Sequence, residues 1–225
     1  MAATNSNSSA NSAAEEQRQL LRAAAELGDP DAQFRLGKVL LEQWRGEEAK
    51  RWLVPLAEDG HAAAVQALAW YASRLAHNDA AYEAEAEHWL RREAEVRQDP
   101  DWLVTMAQEM RRWASGRVAE AEALVAGMAR AGSARAAGQL GYWKRRDGDL
   151  AGAVEWYRLA VELGNRFAWR DLGGCLAALG RLAEAEEVYR PRADAGDSVA
   201  YYELAAVLYA QGKGPKIEPP GPPQL

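Results

Sequence analysis

The chain has 225 residues, 48% of them hydrophobic, and its formal net charge at pH 7 is −6. The apolar fraction is enough for a continuous core, and the acidic balance argues against nucleic-acid binding, since phosphate neutralisation requires an excess of Lys and Arg. A single cysteine excludes an intrachain disulfide framework and is compatible with a reducing compartment. No apolar run approaches the roughly 18 residues of a membrane span, and the N-terminus lacks a basic start, so we expect a cytoplasmic protein without membrane contacts.

The N-terminal residues 1–13 are mainly Asn, Ser, Ala and Thr, which are too polar to join a core, and we expect this tail to be disordered. Residues 14–27 predict a capping helix that ends at Gly28, because apolar residues recur there at helical spacing. Asp29-Pro30 then starts the next helix, since Asp is a favoured N-cap and Pro fits the first helical position.

A period of 32 residues organises most of the chain. Three similar six-residue strings, GRVAEA, GDLAGA and GRLAEA, begin at Gly116, Gly148 and Gly180. Five further glycines follow apolar-periodic segments and suit the left-handed conformation that ends a helix. These are Gly28, Gly60, Gly132, Gly164 and Gly196, and four of them precede a residue suited to N-capping: Asp29, Ser133, Asn165 and Asp197. Asp99-Pro100 supplies one more boundary inside the long interval after Gly60. The chain is therefore predicted to be a helical repeat protein.

Each repeat predicts two antiparallel helices that pack through small residues. The first helix carries a small residue, followed four places later by Leu and then Gly or Ala, as in Ala168-Leu172-Gly173. The second carries an Ala with a large apolar residue three places later, as in Ala153 and Trp156. Small residues let helix axes approach closely, and we expect the Leu or Trp to fill the space beside the crossing. The third repeat, around residues 102–107, matches least well.

The Leu-Gly pair, the turn Gly-Asp-Leu or Gly-Arg-Leu, and the Ala thirteen residues after the Leu resemble tetratricopeptide repeats. The strings at 24–37 and 153–165 are similar to the related Sel-one-like repeats. This resemblance implies an all-α fold: a right-handed α-solenoid of antiparallel helix pairs over residues 14–211, with about five repeats plus terminal capping helices. Most repeats have 32 residues, against about 34 in the family, and the second is longer because extra residues at 75–85 lengthen the segment between its helices.

The last predicted helix, residues 197–211, has no helix after it. Its apolar edge, with Tyr201, Leu204 and Leu208, is therefore uncovered, and self-association as a homo-oligomer through this helix is an independent alternative. Residues 212–225 contain consecutive prolines, which exclude a helix, and we expect a Pro-rich disordered tail rather than a linker or a ligand for another domain.

Few residues suggest catalysis or metal binding. The three histidines lack the spacing of a helical zinc pair, and the glycines end helices instead of forming a phosphate loop. We therefore predict no catalytic residues, no metal and no cofactor. Cys175 is expected to be buried, His77 and His88 to be solvated, and the glutamates at 83–95 to form a solvated helix face.

The two helix layers carry opposite charge. The first helices of repeats three to five contain eight Lys and Arg against four Asp and Glu, whereas the second helices of repeats two to five contain nine against fourteen. The family resemblance implies that the first helices line the concave groove at set positions. The groove residues that we predict to bind a partner are Lys38, Trp70, Arg74, Arg111, Arg112, Tyr142, Arg145, Arg146, Arg170 and Tyr202. Further groove positions hold Phe34, Gln66, Arg135, Phe167 and Tyr209.

Arginine together with aromatic side chains is typical of protein interfaces. We therefore expect a non-catalytic scaffold that binds a protein or peptide segment in its groove, with an acidic segment favoured by the arginines. An equally weighted interpretation is that the arginines are ordinary solvated residues and the aromatics are packing. A peptide-sensing regulator and, ranked lower, an enzyme built on helical hairpins are alternative functions. The two-carboxylate clamp of some tetratricopeptide domains is not implied, since Phe34 stands where its first lysine would be.

The buried Leu of each first helix leads to a testable prediction. Replacing Leu172 with Ala should lower the free energy of unfolding by about 2–5 kcal/mol, because truncating a buried leucine removes apolar contacts and leaves a cavity. Denaturant-induced unfolding followed by circular dichroism measures the change. A loss below about 0.5 kcal/mol would mean that Leu172 lies on the surface.

Overall fold

A computed structural model describes residues 19–213, and all the regular structure in that range is helical. The predicted capping helix, α1, is described over residues 19–26. The helices that follow are α2 Pro30–Glu42, α3 Gly46–Glu58, α4 Ala62–Ala76, α5 Glu83–Arg97, α6 Leu103–Met110, α7 Val118–Arg130, α8 Ala134–Arg146, α9 Leu150–Glu162, α10 Ala168–Ala178, α11 Leu182–Asp194 and α12 Ser198–Ala210. The prediction of a disordered tail for 1–13 lies outside the described residues, and so does that for 212–225 except at its first two residues.

The described residues fall into two compact units, which divide between Ala121 and Glu122 inside α7. In the first unit, helices α2 to α6 pack consecutively, each against the next. In the second unit, helices α8 to α12 do the same. Paired helices such as α8 and α9 are joined by only three residues, so they run antiparallel. The predicted all-α fold of consecutively packed helix pairs, as in an α-solenoid, is confirmed, while its right-handed sense stays a prediction.

The predicted helix ends are confirmed at all five glycines. Gly28, Gly60, Gly132, Gly164 and Gly196 adopt φ angles between 88° and 105°. A residue with a Cβ atom is strained in this left-handed region, so glycine lets the chain leave one helix and start the next within a few residues.

Three of the four predicted N-caps are confirmed. The side chains of Asp29, Ser133 and Asp197 each accept a hydrogen bond from a backbone N–H in the first turn of their helix. The prediction for Asn165 is wrong, because its Oδ1 accepts from the Phe167 N–H at 3.1 Å and the helix begins only three residues after Asn165. The asparagine closes a local turn before the helix, which is a common use of its side chain.

The extra length of the second repeat is distributed differently from the prediction. Helices α4 and α5 have 15 residues each, whereas α2 and α3 have 13, so part of the predicted insertion at 75–85 lies inside longer helices. The connection between them contains a short 3-10 turn, Ala80–Tyr82. Gln98 ends α5 at a φ of 53°, in the conformation that other repeats give to glycine. A second 3-10 turn, Pro100–Trp102, then precedes the short helix α6.

The second helices bury a large residue one place later than predicted. The predicted alanines are fully buried, but their large partners stand four places further on instead of three. In α3, α9 and α11 these partners are Leu53, Tyr157 and Tyr189. Trp156, three places after its Ala, is only half-buried, although Trp89 in α5 is buried as predicted. Residues three and four places after an Ala both lie on nearly the same helix face as that Ala. Which of the two is buried depends on how this face is oriented toward the neighbouring helix.

Each of these large residues lies against a glycine of the preceding helix, sixteen residues earlier in the sequence. The pairs are Gly37 with Leu53, Gly141 with Tyr157, and Gly173 with Tyr189. A Cβ atom on Gly141 would stand only 2.6 Å from Tyr157 Cδ1. Real side-chain carbons do not approach so closely, so glycine is what permits the spacing of the two helices.

A matched pair of glycines in α10 tests this packing. Gly173→Ala should lower the free energy of unfolding by about 1–3 kcal/mol, because the new methyl group would overlap the Tyr189 ring. Gly174→Ala, its neighbour, should raise it by about 0.5–1 kcal/mol, since the nearest atom is the Tyr189 hydroxyl at 4.0 Å and Ala is the better helix former. Chemical denaturation of the two variants measures the difference, and equal effects would contradict the close contact.

Candidate functional site

One face of α2, α4 and α6 borders a groove of about 650 Å³ in the first unit. These helices are the first helices of the first three repeats, where the family resemblance implies a groove. Six of the seven groove positions predicted in this unit line it, namely Phe34, Lys38, Gln66, Trp70, Arg74 and Arg112. The seventh, Arg111, is half-buried at the end of α6 and does not line the groove.

The floor of the groove is apolar and made partly of small residues. Leu41 of α2 and Leu90 of α5 are buried beneath it. Ala63 and Ala67 stand one helical turn apart on α4, and Ala69 adds a third short side chain. Because these alanines project little, they leave an open volume between α2 and α6 that longer side chains would fill.

Trp70 is the most prominent apolar side chain of the groove. It is 51% exposed although it stands in the middle of α4, whose opposite side is buried. The Arg74 guanidinium carbon lies 5.3 Å from the centroid of the Trp70 ring and 5.8 Å from that of Trp44. Cation–π attraction at these distances holds the arginine beside the rings while leaving its N–H groups open to a ligand.

Two carboxylates in the groove wall have hydrogen-bonding partners close by. Glu109 lies 2.9 Å from Nε2 of His77 and accepts a longer bond, 3.4 Å, from Arg112. His77 is half-buried, so the prediction that it is solvated is wrong, whereas His88 is exposed as predicted. Glu93 is buried and accepts two hydrogen bonds from Arg97, at 3.0 and 2.8 Å.

The remaining charges of the groove give it a small positive excess. Among the described residues, no carboxylate lies within ion-pair distance of Lys38 or Arg74. No described cation lies within that distance of Glu42. Two uncompensated cations therefore face one uncompensated anion. The groove favours an anionic or acceptor-rich group over a cationic one.

Two residues that line the groove each carry a buried polar atom without a hydrogen-bond partner. These atoms are the hydroxyl of Ser73, a residue that is 6% exposed, and the indole N–H of Trp102. Leaving such a group buried without a partner costs about 1–3 kcal/mol. Both atoms have almost no solvent-exposed surface, so a ligand in the groove does not reach them unless neighbouring side chains move.

The other predicted residues lie on the first helices of the second unit, on α8, α10 and α12. Tyr142 and Arg146 are exposed on α8, and Tyr202 is exposed on α12. Arg145 donates to Asp171 on α10 at 2.9 Å, and Arg170 lies 3.5 Å from Glu203 on α12. These two arginines therefore link successive first helices, a use that the count of charges in the sequence did not reveal. Of the further groove positions, Phe167 and Tyr209 are largely exposed and Arg135 is exposed.

The prediction of a solvated glutamate face on α5 is wrong for Glu83 and Glu93, which are both buried. Glu83 accepts hydrogen bonds from the backbone N–H and the hydroxyl of Ser115, at 2.9 and 2.6 Å. The sequence contains a signal for this burial. Ala86 and Leu90 stand three and seven places after Glu83, so an apolar stripe connects the two glutamates on one helix face.

On the second helices, carboxylates are paired with nearby arginines and lysines. Partial burial acts to raise the pKa of Glu87, but hydrogen bonds from Arg91 and Arg117 outweigh it and lower the pKa below its ordinary value. Hydrogen bonds from Arg190 and Lys213 lower the pKa of Glu186 to about 2. The acidic layer seen in the sequence is thus largely compensated within the fold.

Between residues 19 and 213, no group of three or more His, Cys, Asp or Glu side chains is arranged to hold a metal ion. In the same range, no helix combines the length and the apolar character needed to span a bilayer. Cys175 is buried, as predicted.

No protein-family model matches the chain, and no curated protein matches it.

The Arg145–Asp171 pair tests whether the arginines of the second unit are available to a ligand. The two side chains are 44% and 40% exposed, so a double-mutant cycle of Arg145→Gln and Asp171→Asn should give a coupling free energy of about 0.2–1 kcal/mol in thermal or chemical unfolding. A ligand carboxylate could displace so weak a pair. The parallel cycle with Arg146→Gln should give no coupling, and a value above about 2 kcal/mol for Arg145 would mean that it is a fixed structural residue.

Proposed function

We propose that this protein is a non-catalytic scaffold that binds an extended segment of a partner protein in the groove of α2, α4 and α6. The observation that carries the proposal is the combination in one groove of the exposed Trp70 with Lys38 and Arg74, two cations that have no carboxylate partner among the described residues. Surfaces that combine a large aromatic anchor with unsatisfied donors are suited to a ligand that supplies both apolar area and acceptors.

The size of the groove fits a short peptide segment. A volume of about 650 Å³ lies within the range of roughly 300–1,000 Å³ that is usual for ligand sites. Because the groove follows three successive first helices, an extended chain can cross all of them and contact each through a different side chain. Trp70 lies on the middle helix, so it is placed to anchor the centre of such a segment.

The polar groups of the groove favour an acidic or carboxylate-bearing segment. Lys38 and Arg74 offer only donors, and the carboxylates of Glu93 and Glu109 are already paired. A peptide carboxylate near Arg74 would form a charge-assisted bond while its neighbours stack on Trp70.

The groove is preformed, which supports binding with little rearrangement. The first helices are held at a fixed distance from their partners by close contacts such as Gly37 with Leu53, and Tyr71 lies against Gly46 between the first and second repeats. A rigid site loses less conformational entropy on binding. The resemblance to tetratricopeptide and Sel-one-like repeats, whose arrays bind proteins, supports the same function, and a cytoplasmic location stays a prediction.

Peptides selected from a display library against the full chain, followed by isothermal titration calorimetry, test this function. We expect selected peptides to be rich in Asp and Glu and to lose affinity about 10- to 100-fold against Trp70→Ala, because large aromatic anchors dominate interfaces. Lys38→Glu combined with Arg74→Glu should weaken the same peptides by about tenfold or more.

Arg51→Glu is the matched control, since Arg51 is exposed on α3 and does not line the groove. It makes the same charge change as Arg74→Glu and should leave affinity within about twofold, as for other distant surface substitutions. Selection of no peptide, or peptides that bind the groove variants as tightly as the unchanged protein, would refute the proposed function.

A further inference from the structure

Helix α12 presents the largest aromatic surface of the second unit. Tyr201, Tyr202 and Tyr209 are 62%, 74% and 73% exposed, and Val199 adds a partly exposed aliphatic side chain. Soluble monomers seldom expose several large apolar side chains side by side, and a surface of this kind usually marks a binding partner. The groove lies in the other unit, so this tyrosine surface is distinct from the proposed peptide site.

Comparison of α12 with the equivalent helix of the preceding repeat, α10, indicates which kind of partner fits this surface. In α10, Trp169, Gly173 and Leu176 are buried, and Tyr189 of α11 lies against both Trp169 and Gly173. The residues 32 positions later in α12 are Tyr201, Ala205 and Leu208. Tyr201 and Ala205 are exposed and Leu208 is half-buried. Helix α12 thus offers the face that in α10 is covered by a helix, and no described helix of this chain follows it.

The face is uncharged. Glu203 is the only charged residue of α12, and it stands two residues before Ala205, on the opposite side of the helix at about 100° per residue. There it forms its ion pair with Arg170 at 3.5 Å. An uncharged face does not repel a second copy of itself, whereas a highly charged partner would find no counter-charge on it.

The face is also symmetric about Ala205. Tyrosines stand four places before and four places after it, at Tyr201 and Tyr209. Large residues, Tyr202 and Leu208, stand three places before and three places after it. When two such helices cross antiparallel at Ala205, each Tyr201 meets the partner's Tyr209. The small residue then lies where the axes are closest, which is the arrangement used at Gly173 within the repeat.

We propose that two copies of this chain form a two-fold symmetric dimer in which their α12 helices pack antiparallel and cross at Ala205. Each copy supplies to the other the helix that would otherwise complete its last repeat. The interface is isologous, as two-fold symmetry requires, because the same residues lie on both sides.

The exposed area is sufficient for a reversible dimer. Buried aromatic side chains contribute about 150–250 Å² each, so three largely exposed tyrosines with Ala205 and Leu208 offer roughly 500 Å² per copy. Two copies bury on the order of 1,000 Å², which is near the lower limit for a specific interface. The dimer therefore dissociates on dilution.

Sedimentation velocity of the full chain, over about two orders of magnitude in concentration around the micromolar range, tests the proposal. The unchanged protein shifts from monomer to dimer as concentration rises. Ala205→Arg decreases the association constant more than about tenfold, because it puts two like charges at the symmetry axis. Ala210→Arg is the matched control: it adds the same side chain to an exposed position of the same helix, on the side away from Ala205, and leaves the association constant within about twofold.

Disulfide cross-linking gives a second measurement, which detects the dimer directly and does not require a variant that weakens it. With oxidised glutathione as the oxidant, Ala205→Cys forms a disulfide between two copies, since the two residues adjoin at the axis, while Ala210→Cys does not. Cys175 is buried and does not compete. Circular dichroism verifies that each variant is folded.

Three results would overturn the proposal. The first is a full chain that is monomeric at every concentration, which would leave the face to residues 214–225 or to another protein. The second is a dimer that Ala205→Arg and Ala210→Arg weaken equally. The third is Ala205→Cys protein that stays monomeric on non-reducing gels after oxidation.

Discussion

The close contact between a glycine of the first helix and a large side chain of the second, sixteen residues later, occurs in three repeats and is the constraint on which the rest of this structure depends. The Tyr157 and Tyr189 rings lie so near Gly141 and Gly173 that a single methyl group would overlap them. Glycine inside a helix is unfavourable by roughly 0.5–1 kcal/mol, so the packing gained at this spacing must outweigh that loss. Because both members of the contact lie in one repeat, each helix pair is specified locally, and stability is gained pair by pair.

The same packing determines which residues are left for binding. One side of a first helix packs against the second helix of its repeat. The side chains on its other side do not take part in the core. On α4 the packed side buries Leu68 and Ala72, while Trp70 and Arg74 remain in the groove. The groove forms where the repeat is least regular, with the lengthened α4 and α5 followed by the short α6. The groove of the first unit is therefore a feature of its irregular repeats.

Local pairing explains how an acidic chain can hold a groove with a slight positive excess. Arg97 and Arg112 neutralise the groove carboxylates Glu93 and Glu109, and carboxylates of the second helices are paired with nearby arginines and lysines. The groove keeps Lys38 and Arg74 without a carboxylate. The net charge of the chain is thus a poor guide to the potential at any one surface, because paired charges cancel over the distance of an ion pair.

The sequence by itself determined the helices, their glycine ends and the period of 32 residues, because these follow from spacing along one chain, whereas the groove positions came from the family resemblance. Tertiary structure alone decided which of two neighbouring positions, such as Trp156 or Tyr157, is buried, since both offsets lie on nearly the same helix face. It also decided that Glu83 accepts hydrogen bonds from Ser115 and that Arg145 and Arg170 reach carboxylates on the next first helix. These contacts join residues distant in sequence, so the spacing of residue types along the chain does not predict them.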